Sequence, residues 1–206
     1  MIENLKLIPA HPDEVVLATF LIYSSGPAAF EFVFQNEKYK ALDFLRYAFI
    51  KKGGEFSYDN HHSLYYKNEM VGIGSAFNGE SASNFKFWDG LRILKFYGFN
   101  SFGVVSHGLS IEKLIKLPKS SNTALAHLGI KKEFRGKGFG TFLINELMKT
   151  QSSNTKKFVL DVSEENPRAK ELYTNLGFIV TSKNISNLKS KYSSVPNHFR
   201  MEMPQM

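Results

Sequence analysis

Between Leu128 and Met148 the chain reads LGIKKEFRGKGFGTFLINELM. Gly136, Gly138 and Gly140 fall within five residues, with Arg135 ahead of them and Lys137 and Phe139 between them. Glycines at such spacing let backbone N–H groups face outward at the start of a helix. The result is an anion nest, reinforced by the helix dipole. Arg135 and Lys137 add fixed positive charge, and Thr141 ends the turn. A turn of this kind suits phosphate or pyrophosphate. It is not a P-loop, because no Gly-x4-Gly-Lys-Ser/Thr spacing is present. Nor is it the dinucleotide fingerprint, whose third glycine would fall on Thr141. A glycine-rich strand-to-helix connection without a ligand is the competing reading at this point.

The elements that must position this turn follow from the patterning. Thr123–Ile130 reads as a strand, Gly138–Thr150 as a helix with an apolar stripe at Phe142, Leu143 and Leu147, Lys156–Val162 as a strand and Pro167–Leu176 as a helix. Phe178–Thr181 and His198–Met203 read as further strands. In the first strand Leu125, Leu128 and Ile130 are spaced three and then two. Plain alternation by two would not produce that spacing, so a β-bulge is expected near Ala126–His127. Asn166, Pro167 and Gly177 punctuate the last helix as N-cap, first position and terminator.

The first half is less sharply written. Pro12–Tyr23 reads as a short helix, closed by the breakers Ser24–Pro27. Phe30, Phe32 and Phe34 alternate as a strand would. Asn36–Lys52 has helical spacing and stops at Gly53-Gly54. Ser63–Tyr66 and Met70–Phe77 form a hairpin around Lys67–Glu69, Ser83–Tyr97 is a helix, and Ser110–Ile115 a weaker one. The order strand-helix-strand-helix-strand-strand of the second half points to a mixed α/β sheet.

Composition narrows the function classes. The 206 residues include 43% apolar and 22% charged, which suits one domain. There is no cysteine, which removes disulfide frameworks, thiolate–zinc sites, iron–sulfur clusters and thiol nucleophiles; no metal is expected. The longest apolar run, Val15–Tyr23, is far short of the roughly 20 residues that span a bilayer. The first residues lack the layout of a signal peptide, so a soluble cytoplasmic protein with no membrane partner is expected. Net charge is +7. Split after Gly103, the first part holds 10 basic and 11 acidic residues and the second 16 and 8. Aromatics run the other way, 21 of 29 lying in the first part. Only five arginines are present, with no zinc-finger spacing, so nucleic acid is not the expected partner.

Arg135-x-x-Gly138-x-Gly140 after a bulged strand resembles the pyrophosphate loop of the GNAT superfamily, the acyl-CoA-dependent N-acetyltransferases. Leu128, Ile130, Glu133, Phe134, Arg135 and Gly136 match the approach to that loop, with Lys132 in place of the usual proline. Asn166, Ala169, Leu172, Tyr173, Gly177 and Phe178 match a second motif of the family. The resemblance covers Leu125–Phe178. It implies a GNAT-like α/β fold: a mixed, twisted sheet of six to seven strands split by the bulge, helices on both faces. Residues 1–120 would form the acceptor side with a helical insertion, 121–180 the acyl-CoA core and 181–206 the C-terminal strands.

Acetyl-CoA is implied as cosubstrate. Its pantetheine arm would bond the backbone of Leu128, Gly129 and Ile130 and the side chain of Asn166. Its pyrophosphate would be held by Arg135, Gly136, Lys137, Gly138, Phe139, Gly140 and Thr141. Tyr173 would act as general acid toward the departing thiolate, and the backbone near Leu128 would serve the oxyanion. The family's base commonly stands nine, eleven or thirteen residues before the motif arginine. Those positions are Ala126, Ala124 and Asn122, and none can take a proton. His127, one residue off, is expected by parity to point away. Proton removal is therefore expected to proceed through ordered water, relayed by a group such as Glu69, His61, His62 or Asp59. The acceptor is read as a small-molecule or peptide amine. A homodimer is conceivable through His198–Met203. A catalytically quiet acyl-CoA-binding module remains the second reading.

Overall fold

A computed structural model describes residues 4–151 and 155–204. Seven strands form one sheet: β1 (Leu5–Pro9), β2 (His62–Tyr66), β3 (Glu69–Asn78), β4 (Asn122–Ile130), β5 (Lys157–Ser163), β6 (Ile179–Asn184) and β7 (His198–Pro204). Their spatial order is β1-β2-β3-β4-β5-β7-β6. Only β4 and β5 run parallel, and every other pair is antiparallel. The helices are α1 (Val15–Ser24), α2 (Pro27–Phe34), α3 (Ala41–Phe49), α4 (Gly79–Tyr97), α5 (Ser101–Leu114), α6 (Phe139–Thr150) and α7 (Pro167–Asn175).

The expected bulge is present. Ile73 lies opposite Gly129 and Ser75 opposite Ala126, so Gly74 alone faces His127 and Leu128. His127 has φ +55, a left-handed conformation uncommon outside glycine. Beside the bulge β4 parts from β5. The two pair only from Asn122–Ala124 to Lys157–Val159. A Thr123–Thr155 hydroxyl contact of 2.6 Å pins the closed end.

Two helices take opposite faces at the bulge. A Cβ on Gly129 would stand 2.6 Å from the Leu21 carbonyl oxygen, so the bare backbone lets α1 lie against β4. A Cβ on Gly74 would meet Leu147 of α6 at 2.7 Å. One core lies under α1–α3 around Phe34, Phe44, Phe49 and Ile73. The other lies under α6 and α7 around Leu125, Leu143, Phe158 and Phe178.

Several expectations for the first half are corrected. Phe30, Phe32 and Phe34 belong to helix α2, which Pro27 opens. Buried residues occupy most of its circumference, Val33 included, so a helix passes for an alternating strand. The expected helix over Asn36–Lys52 contracts to α3. The Asn36 side chain accepts the N–H groups of Lys38 and Tyr39 at 2.9 and 2.8 Å and holds a turn instead. Helix α4 starts earlier, at Gly79, where Asn78 Oδ1 accepts the Ser81 N–H as an N-cap. Helix α5 starts at Ser101 rather than Ser110. The Lys67 and Asn68 turn has positive φ at both residues, the geometry of a tight β-hairpin.

Candidate active site

The parting of β4 from β5 opens a cleft of about 880 Å3. Leu128, Gly129 and Ile130 line it from the far half of β4, beyond the last β5 pairing. At the end of that strand Arg135 Nε donates to the Ile130 carbonyl at 2.8 Å, tying the turn back to the strand. Gly136 and Gly138 have φ +76 and +84. The first bond of α6 runs from Phe142 N–H to Gly138 O. The N–H groups of Phe139, Gly140 and Thr141 therefore precede the helical ladder, where an anion is favoured. A Cβ on Gly138 would meet nothing within 4 Å, so its approach is open. This turn fits a pyrophosphate.

The other expected residues divide. Arg135, Gly136, Gly138, Gly140, Thr141, Asn166 and Tyr173 line the cleft. The Lys137 and Phe139 side chains do not. Phe139 is buried against Tyr66 and Phe134, which leaves its backbone as the available group. Asn166 Oδ1 caps Ala169 N–H at 3.1 Å. Tyr173 is buried, and its hydroxyl has no hydrogen-bond partner among the described residues. Burial pushes its phenol up to about 12.

Arg168, Glu55 and His127 also line the cleft and were not anticipated as site residues. Arg168 stands at the second position of α7, with a guanidinium nitrogen 2.8 Å from where a Gly136 Cβ would lie. A cation in the first turn of a helix opposes the macrodipole, and that misplacement is a signal legible in the sequence. Glu55 lines the cleft from the turn after Gly53-Gly54. His127 is the third, and here parity misleads. The left-handed φ resets the side-chain alternation and turns the ring onto Phe30 and Phe56, with centroids 5.9 and 5.3 Å away. Its Nε2 lies 3.5 Å from Glu55 Oε1, and its Nδ1 3.0 Å from His61 Nε2. His61 Nδ1 in turn contacts the Ser57 carbonyl at 2.7 Å. Burial, with His127 adding to it, holds His61 down to about 3.

The remaining base candidates lie elsewhere. Glu69 pairs with Lys131, and Asp59 accepts Gly53 N–H. His62 Nδ1 is buried without a hydrogen-bond partner among the described residues, and none of the three lines the cleft. Asp89, Glu112, Asp161 and Glu165 do line it. Burial raises Asp89 to about 7 despite Arg92, and Asp161 to about 6 despite an Arg200 contact of 2.5 Å.

A mixed seven-stranded sheet that splays at a bulge, with a glycine turn at the end of the splayed strand, defines the GNAT fold. Residues 102–186 match the model of the FR47-like protein family. No curated protein matches the chain. Among solved structures, an N-acetyltransferase from Staphylococcus aureus Mu50 is 17% identical with a TM-score of 0.67, over 96% of this chain and 100% of that one. A spermidine N-acetyltransferase from Vibrio cholerae, in complex with CoA and spermine, is 16% identical with a TM-score of 0.59, over 98% of this chain and 96% of that one. The chain shares the fold of these acetyltransferases.

Proposed function

We propose that the protein is an N-acetyltransferase that moves an acetyl group from acetyl-CoA to a primary amine by direct attack in a ternary complex. The observation that carries this reading is the β4–β5 cleft ending on the left-handed Gly136–Gly138 turn. One element thus offers unpaired strand backbone and an anion nest in series. The pyrophosphate is assigned to the N–H groups from Gly136 to Thr141, with Arg168 as an added cation. The backbone from Leu128 to Ile130 and the Asn166 side chain hold the extended arm.

Acetyl-CoA, when bound, supplies the thioester whose C–S bond breaks as the amine nitrogen–carbon bond forms. Tyr173 holds its proton throughout the neutral range, because burial favours the neutral phenol. It donates that proton to the thiolate sulfur. The backbone beside the bulge, near Leu128, offers N–H groups to the carbonyl oxygen. The ammonium form of the acceptor must lose a proton before it attacks, and the cleft carries carboxyls and an imidazole for that step.

Titration with acetyl-CoA followed by calorimetry and thermal melting tests this reading. At a hundred times the dissociation constant a stabilisation of about 2.7 kcal/mol is expected. A flat response overturns it. Release of free thiol with a panel of amines then separates transfer from an acyl-CoA-binding module that does not react.

A further inference from the structure

We infer that His127 Nε2, with Glu55 beside it, is the proton acceptor for the amine, and that His61 is the positioning residue that leaves this nitrogen free. The inference rests on the N-acetyltransferase reading above. It is carried by a chain of contacts that places a hydrogen on His61 Nδ1 and another on His127 Nδ1.

The chain starts at the Ser57 carbonyl, which can only accept. His61 Nδ1, 2.7 Å away, must therefore carry a hydrogen. His61 is buried, and its low basicity keeps it neutral, so its Nε2 holds a lone pair. That lone pair faces His127 Nδ1 at 3.0 Å, and His127 Nδ1 must donate. In neutral His127 the lone pair then sits on Nε2. This nitrogen points toward Glu55 Oε1 at 3.5 Å, too long for a hydrogen bond of ordinary length. Two acceptors face each other there, within reach of a shared donor.

A substrate ammonium is such a donor. Its N–H groups satisfy the carboxylate and the imidazole together. One N–H bond then breaks, its electron pair stays on the amine nitrogen, and the proton moves to Nε2. The imidazolium that forms keeps its Nδ1–H bond to His61 and gains an ion pair with Glu55. The His127 side chain is 8% exposed and that of Glu55 31%, so the carboxylate connects the ring to solvent for proton release.

Further observations fit a site rather than a packing accident. The left-handed φ of His127 is a strained backbone conformation for a residue with a side chain, and that φ turns the ring into the cleft. Phe30 and Phe56 clamp the ring, so only its two nitrogens have polar company. The charged or titratable groups around it are few. His61 stands on one side, with His62 behind it, and Glu55 on the other. Behind Glu55 lies the Asp89–Arg92 pair of α4, where Asp89 accepts the Glu55 N–H at 2.8 Å. Across the ladder, β3 presents the uncharged Gly74 and Ser75.

The test combines kinetics with a measurement that needs no turnover. For H127Q, kcat/KM should fall at least a hundredfold at neutral pH and recover toward alkaline pH, where the amine arrives unprotonated. Its acetyl-CoA affinity should stay within twofold of the wild type. E55Q should raise KM for the amine and lower kcat. H61L removes the acceptor for His127 Nδ1 and should displace the acid limb of the pH profile, while H61Q, which restores an acceptor oxygen, should restore the profile. Nitrogen-15 spectra of the histidines in the free protein should show His61 as the Nδ1–H form from pH 5 to 8. They should show neutral His127 with its hydrogen on Nδ1. An H127Q enzyme with unchanged rate and pH profile overturns the inference, and so does neutral His127 carrying its hydrogen on Nε2. Loss of acetyl-CoA binding by the wild type strikes the function reading instead, while the spectra still decide the proton chain.

Discussion

Tyr173 and His61 are both buried without charge, and each has a consequence that can be measured. The Tyr173 phenol lies in the apolar cluster with Phe178, and burial alone raises it. A phenylalanine at this place keeps the packing and removes the proton. Y173F should lower kcat by about a hundredfold, the lower end of general-acid contributions, with acetyl-CoA binding unchanged by calorimetry. His61 bears on stability. Folding lowers it from 6.5 to about 3, so between those values the unfolded chain binds a proton that the folded chain refuses. Its contribution is intact above pH 6.5 and is lost as pH falls toward 3, by about 1.4 kcal/mol per pH unit. Asp89 and Asp161, both raised by burial, act in the opposite sense. Urea unfolding of the wild type and H61Q between pH 7 and 4 isolates the histidine: H61Q should gain on the wild type as pH falls.

Strand β4 is the element on which the site depends, and its neighbours are fitted to it at single-atom tolerance. Gly129 admits α1, whose Leu21 carbonyl would lie 2.6 Å from any added Cβ. A backbone oxygen cannot swing aside as a side chain can. G129A should therefore destabilise the protein by about 1–3 kcal/mol, the range for overpacking, read from the shift in urea midpoint. At this scale the second half was legible in advance. The spacing of Leu125, Leu128 and Ile130 located the bulge, and Asn166, Pro167 and Gly177 bounded α7. The first half was not, because nearly continuous burial in Phe30–Phe34 erases the periodicity that separates helix from strand.

Over the whole chain, basic charge and aromatic side chains are segregated in sequence. The basic surplus falls after Gly103, where Arg135 and Arg168 flank the glycine turn. Among the described residues no single helix is long and apolar enough to cross a membrane. Many of the aromatics of the first half are core, as Phe44 and Phe49 show. Phe99 and Phe102, at the junction of α4 and α5, are 97% and 78% exposed. These two contribute little to folding. F99S and F102S should each change stability by no more than about 0.5 kcal/mol, whereas F44A should cost about 3–5 kcal/mol in the same denaturation assay.

Local chemistry was enough to place the glycine turn, the bulge and the caps of α7. Each depends on residues a few positions apart, and glycine, proline and asparagine act on the backbone at their own positions. The proton chain was beyond such reading. Ser57, His61 and His127 are brought together from the approach to β2 and the middle of β4, with Glu55 arriving from a turn. Their meeting is set by strand order and by the sign of one φ angle. Alternation assigned His127 to the wrong face because side-chain parity survives only while the pleat does, and at the bulge the pleat is broken.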